Sequence, residues 1–315
     1  MAGVYDADII ILCLGRLAET KTAIASALAQ KGGRFHVSVL DQGSDPAMLS
    51  ALGSSFGEAL NFTLYAAAQN RGVAAGRNML AALGHGRIIV GLDNDARFAD
   101  DYVVAGALRR FEKLPELGAI GFAILRADGQ GPDLTSWGYP KAMLPHYATR
   151  FAATTFVGAG HAIRRAAWEA VGGYDESFFF TWEEYDFCLA AIALGWRISY
   201  DGKLAVIHTP AAEGRLRWQA TRMTYFIRNR LIIGRKWRQS WLTLAPWLLG
   251  YGLIAARHGC LGAAWQGVRQ ALAALVPTPR AMPGAMRDYI RAYETHQRGT
   301  LLTRLKLELF SRLPA

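Results

Sequence analysis

The chain has 315 residues, a formal net charge of +10, 52% hydrophobic residues and three cysteines. That length can bury one large core or two smaller ones, and three scattered cysteines without a C-x-x-C exclude a disulfide framework or thiolate zinc site and fit a reduced, cytoplasmic setting. The charge is split: residues 1–213 carry 18 Lys/Arg against 22 Asp/Glu, whereas residues 214–315 carry 17 against 3, so the C-terminal third expects an anionic partner, either membrane phosphate or nucleic acid.

"MAGVYDADIIILCLG" lacks the basic n-region and cleavage site of a signal peptide, and its isoleucine-rich run predicts a first buried strand over 7–14. A helix with a glycine stop follows over 19–33, then a strand over 35–40 that enters the turn residues "DQGSDP" (41–46). A helix from Pro46, a strand over 61–66, a loop leading to a helix in "NRGVAAGRNMLAALGHG" (70–86) and an apolar strand over 87–92 continue the alternation. That strand stops at "DNDARF" (93–98). Strands and helices alternating with short connections predict an α/β fold with a mostly parallel, Rossmann-like sheet. Ligands bind such sheets beyond the carboxyl ends of the strands, where Asp41 and the Asp93/Asp95 pair stand. Residues 115–160 predict short strands and acceptor-facing loops, and 162–180 a short helix with a Gly-Gly stop. An amphipathic helix over 183–195 carries Glu183, Glu184 and Asp186 in its first turn, where the helix dipole favours acids. Residues 197–208 look like a strand pair ending at His208.

Each candidate has a plain structural alternative. Asp93 and Asp95, one residue apart at a strand end, can share a divalent cation and a nucleotide, yet Asp-Asn-Asp also suits a solvated turn. Asp41 can accept from the N3–H of uracil or thymine, or serve only its own turn. Arg77, near a helix start, can meet base or diphosphate, or simply lie on the surface. A lone histidine ending an apolar strand is more often structural than ligating. Three crowded carboxylates need compensation by a positive or proton-bearing group.

The order in which these elements occur is more specific. Strand–"DQGSD", "NRGVAAGRN", strand–"DND" and "GAGHAIRRAAWEAVGGYDESFFFTWEEYDFCLAAIALGWRISYDGKLAVIH" resemble family 2 glycosyltransferases of the GT-A fold over roughly residues 7–210. The resemblance implies an inverting transfer of sugar from a nucleotide-sugar, UDP- or dTDP-linked, to a hydroxyl of a glycan or lipid-linked acceptor in cell-surface polysaccharide synthesis. It implies that Asp41, Arg77, Asp93 and Arg16 meet the nucleotide and that Asp95 and His208 hold Mg²⁺ or Mn²⁺. Glu184 is the implied catalytic base, with Glu183 and Asp186 as alternatives, because the chain has Glu-Glu-Tyr-Asp where the family has Glu-Asp-x-Asp. Gly15 also stands where the family usually has asparagine. A polyprenyl-phosphate acceptor is the near alternative, and a non-catalytic membrane or nucleic-acid binding module the distant one. A nicotinamide oxidoreductase is disfavoured, since the first strand–helix junction lacks G-x-G-x-x-G.

The organisation expected is a GT-A catalytic domain over 1–213 and a helical, arginine-rich region over 214–315. Residues 215–239 hold eight arginines or lysines and no acid, with interleaved aromatics. Residues 240–256 are uncharged but broken by Pro246, Gly250 and Gly252, which favours an in-plane amphipathic segment over a spanning one. Peripheral attachment to the inner face of the cytoplasmic membrane is expected; nucleic acid is not, because no recognised motif accompanies the basic residues.

Overall fold

The computed structural model describes residues 5–209, 220–276, 279–298 and 300. The continuous apolar runs form strands covered on both faces: β1 (Ala7–Cys13), β2 (Phe35–Asp41), β3 (Phe62–Ala66) and β4 (Ile88–Asp93), separated by α1 (Leu17–Leu28), α2 (Pro46–Phe56) and α3 (Val73–Leu83). All pairings among these four strands are parallel, with Ile9 opposite both Val37 and Val90. There follow β5 (Ala96–Phe98), α4 (Val103–Lys113), β6 (Leu117–Leu125), β7 (Arg150–Ala153), β8 (Gly160–Arg164), α5 (Arg165–Val171), α6 (Glu183–Ala193) and β9 (Arg197–His208). The sheet order is β3-β2-β1-β4-β8-β6-β9-β5, with β7 also on β9. β8 runs antiparallel between β4 and β6, while β6 and β9 are parallel.

Two expectations change here. Residues 115–160 contain more than short strands, because β6 has nine residues, eight of them buried. Glycine and alanine alternate there with large apolar residues, since both faces are covered and no polar side of the sheet remains to mark the period. Residues 197–208 form one strand, not a pair. The Asp201–Gly202 step, which resembles a hairpin turn, instead accommodates a register slip against β6 between Phe122 and Ala123.

Alternate residues of β1 serve different layers. Ile9 and Ile11 join Ile24 of α1 and Val104 and Phe111 of α4. Ile10 joins Leu80 of α3, Trp168 of α5 and Phe187 and Leu189 of α6. The C-terminal helices are α7 (Ala220–Lys236), α8 (Trp241–Arg257), α9 (Leu261–Ala273) and α10 (Gly284–Ile290). Met223, Ile227 and Leu231 of α7 belong to the same apolar cluster as α6. α8 continues through Pro246, Gly250 and Gly252 as one helix. Arg215 and Arg217 of the basic stretch lie outside the described residues. Among the described residues, no helix is long and apolar enough to cross a membrane.

Candidate active site

The carboxyl ends of β1, β2 and β4 surround a cleft of about 220 Å³ lined by Leu14, Gln42, Gly72, Asp93, Asn94 and Phe180. Gly72 is required there. Its φ is 86°, and a Cβ would lie 2.5 Å from the Phe179 carbonyl oxygen. The Val73 N–H, at the start of α3, donates to that same carbonyl at 2.8 Å.

Asp41 is 0% exposed. Its Oδ2 accepts from the N–H groups of Gly43 (3.1 Å) and Ser44 (2.9 Å), so the carboxylate organises its own turn. Its neighbour Gln42 is the residue of this strand end that lines the cleft.

Asp95 and His208 are brought together by antiparallel pairing of β5 with β9, which sets Ala96 opposite His208. Asp95 Oδ1 lies 3.2 Å from His208 Nε2, and Asp95 Oδ2 accepts from Arg16 Nη1 at 2.6 Å. Arg16 caps α1 in the left-handed region (φ 59°) and also donates to Glu19 and the Thr209 carbonyl. On the far side of the imidazole, Nδ1 lies 2.9 Å from Asp133 Oδ2 and 3.2 Å from Ser136 Oγ. Burial pushes the Asp133 carboxyl up, but hydrogen bonds from His208, Thr135 and Ser136 outweigh it and hold the group below its ordinary range. A carboxylate oxygen facing an imidazole nitrogen, with the second nitrogen oriented by another carboxylate, is a pair of donors chemically suited to a divalent cation. Among the described residues no three His, Cys, Asp or Glu side chains form a complete cage, so a cation held here would need oxygens from its ligand.

The second cluster forms around Arg77, which is 3% exposed. Its Nη2 donates to Asp93 Oδ1 and to the Gly158 carbonyl, both at 2.8 Å, and its Nη1 lies 3.4 Å from Glu184 Oε1. Gly158 leaves room for this arrangement, since a Cβ there would lie 2.3 Å from Glu184 Oε1. Burial pushes both Glu183 and Glu184 up. Arg77 opposes that shift at both, and the Glu184 charge raises Glu183 further. Two carboxyls this close and this buried resist ionising together, which raises the pair as a unit. No hydrogen-bond partner reaches Glu183 Oε2.

Asp186 belongs to neither cluster. It pairs with Lys236 of α7 (2.6 Å), which also holds Asp175 (2.8 Å). Burial raises the Asp186 carboxyl against the pull of Lys236. Within the trio, Arg77 thus compensates Glu184 and Lys236 compensates Asp186.

Sequence reasoning did not find Asp133, Gly158 or Lys236. "DLTS" (133–136) carries the signature of an Asx turn, with Asp133 accepting from the Thr135 N–H. Nothing in it pointed to a histidine 75 positions later.

The sequence pattern described as glycosyl transferase family 2 matches residues 8–172, just over half of the chain. The match ends before Glu183, Glu184 and His208. No curated protein matches in sequence. The fold is similar to that of the mannosyltransferase PcManGT from Pyrobaculum calidifontis, solved in complex with GDP-Man and Mn²⁺, with a TM-score of 0.59 and 18% identity over 98% of this chain and 88% of that one. It is also similar to GalNAc-T7 solved with UDP, GalNAc and Mn²⁺, with a TM-score of 0.61, 13% identity, and coverage of 88% of this chain and 59% of that chain. TarS of S. aureus has a TM-score of 0.52 and 15% identity, over 93% of this chain and 54% of that one. This chain therefore spans little more than half the length of the last two.

Proposed function

This chain belongs to glycosyl transferase family 2, and from that premise we propose that it moves a sugar, with inversion, from a UDP- or dTDP-sugar to a hydroxyl of a glycan or lipid-linked acceptor. The observation that carries the reading is Arg77, a buried cation joining Asp93 at the nucleotide cleft to Glu184.

In this reading Glu184 is the base. As the acceptor oxygen bonds to the anomeric carbon, its proton passes to a Glu184 carboxylate oxygen, and the bond from that carbon to the nucleoside diphosphate breaks on the opposite face. General-base help of this kind contributes on the order of 10²–10⁴-fold. Arg77 keeps Glu184 ionised and aimed, and is assigned to the carboxylates rather than to the nucleotide. Asp93 and Arg16 are assigned to the nucleotide, and Asp41 to shaping the turn at its base end. Asp95 and His208, oriented by Asp133, would hold Mg²⁺ or Mn²⁺, which when bound neutralises charge on the departing diphosphate. PcManGT and GalNAc-T7 were both solved with Mn²⁺ and a nucleotide ligand, which supports that assignment.

Residues 1–213 are proposed as the catalytic unit and 214–315 as the part that meets the membrane from the cytoplasmic side. Exposed Trp241, Leu242, Leu249, Leu253, Trp265 and Leu272 lie on α8 and α9. Residues 241–276 contain Arg257 and Arg269 but no acid. An apolar face without acidic residues suits an anionic bilayer surface. Phosphatidylglycerol vesicles should sediment the protein, and a Leu249→Glu/Leu253→Glu variant should remain in solution; equal sedimentation of both would remove this surface from the reading.

Calorimetric titration with UDP and dTDP, with and without Mn²⁺, tests the nucleotide site. Binding that needs Mn²⁺ and vanishes in Asp95→Ala supports the reading, while a well-folded protein that binds neither these nor GDP refutes it.

A further inference from the structure

Residues 172–182 connect α5 to α6 without helix or strand and deliver the Glu183–Glu184 pair. The connection ends in two consecutive residues in the left-handed region, Thr181 (φ 67°) and Trp182 (φ 74°). A β-branched and a bulky aromatic residue both resist that conformation, so it persists only where the surroundings over-determine it.

Here the surroundings are α7. Asn229, 0% exposed, donates its Nδ2 to the carbonyls of Phe180 (3.0 Å) and Thr181 (2.9 Å). Its Oδ1 accepts from Arg228 Nη1 at 2.6 Å, and that nitrogen also donates to the Ser177 carbonyl at 3.0 Å. The Trp182 ring lies 5.0 Å from Phe226, and the Arg230 guanidinium stands 5.9 Å from it. On the other side of the connection, Phe180 lines the nucleotide cleft. One amide thus spans the two peptide units that precede the Trp182 cap of α6, beyond the end of the family match.

We propose that Asn229 is a positioning residue for sugar transfer: by holding the carbonyls of Phe180 and Thr181 it fixes the strained entry to α6 and so the direction in which Glu184 meets Arg77 and the acceptor. The inference rests on Glu184 being the base. It makes α7 part of the catalytic apparatus, although the charge balance assigns it to the basic C-terminal region.

The test uses the full chain as Asn229→Ala, Asn229→Asp, Glu184→Gln and the double variant Asn229→Ala/Glu184→Gln. Asn229→Asp keeps the shape but loses the donor, and it replaces Asn229→Ala in the cycle if the smaller side chain prevents folding. Turnover is read as release of UDP, dTDP or GDP from the corresponding nucleotide-sugars, and affinity by calorimetry with the nucleotide and Mn²⁺. Hydrogen exchange follows residues 177–186.

Loss of the donor should lower kcat about 10- to 100-fold, the range expected when a reacting group is displaced by about an ångström. Nucleotide affinity should stay within about threefold, which separates aim from binding. Exchange should quicken in 177–186 and not elsewhere. In the Glu184→Gln background the same substitution should cost nothing further, because no base remains to be aimed. Wild-type turnover in both Asn229 variants, or an equal loss with and without Glu184, overturns the inference. A fully active Glu184→Gln, or a wild type that turns over none of the three donor types, overturns the reading of the site instead and takes the inference with it. An inactive Glu184→Gln beside active Asn229 variants sinks the inference alone.

Discussion

Replacing Arg77 with methionine deletes one guanidinium while keeping the apolar stem that α3 buries. Three contacts are lost, and they are not equal. Asp93 is 41% exposed at its side chain, so water replaces the guanidinium there at little cost. The Gly158 carbonyl loses a charged hydrogen bond worth about 1.5–3 kcal/mol. Glu184, 16% exposed and 3.4 Å away, loses the charge that opposes its burial. Removing one member of a buried pair costs about 3–5 kcal/mol, and the long contact together with the freedom of Glu184 to take up a proton puts the total near the lower end, about 3 kcal/mol. At about 2–4 °C per kcal/mol for a domain of this size, the melting temperature should fall by about 6–12 °C. The sign with pH follows from the raised Glu184 carboxyl. A group whose pKa is higher folded than unfolded loses its stabilising contribution as pH rises through the folded value. The stability gap between Arg77→Met and wild type should therefore widen toward alkaline pH and narrow in acid to the share that the Gly158 carbonyl contributes. The acid limb of the kcat profile should also move to higher pH, since burial and Asp93 then act on Glu184 without the opposing charge of Arg77. Calorimetric melting across pH and a pH–rate profile measure both. An unchanged melting temperature with an unmoved acid limb would show that Arg77 does not compensate Glu184.

Glu184→Gln should lower kcat by on the order of 10²–10⁴-fold with nucleotide affinity intact, and a much smaller loss would favour a phosphate acceptor that needs little base help. Glu183→Gln leaves Glu184 in place, so it should retain far more activity. It should also be more stable than wild type at alkaline pH, because the elevated Glu183 carboxyl must otherwise ionise while buried; melting curves that coincide with wild type there would refute the raised Glu183 carboxyl. Lys236→Met strands Asp175 and Asp186 and should cost about 3–5 kcal/mol in urea unfolding, with Asp186→Asn recovering part of the loss; additive losses would mean the two are not coupled. Asp133→Asn should weaken Mn²⁺ affinity in the presence of UDP by about 10–100-fold, and unchanged affinity would remove it from the support of His208.

Sequence by itself determined the parts of this protein that depend on local patterning. Short, isoleucine-rich runs such as "IIILC" and "IIVGL" point to strands covered on both faces, and their alternation with helices implied a largely parallel sheet whose carboxyl ends present Asp93 and Asp95. The charge division between the two parts of the chain was equally plain. Partnership was not. Glu183, Glu184 and Asp186 are near neighbours in sequence, but each step turns the helix by about 100°, so they face the core, Arg77 and Lys236 respectively. Those partners, like Asp133 for His208 and Asn229 for the entry to α6, come from distant segments that no periodicity links. The same holds for β9, where a local turn signal yielded to pairing along β6. Contacts of that kind form only when the sheet closes and buries its polar groups together, so only the tertiary structure decided which charge each carboxylate meets.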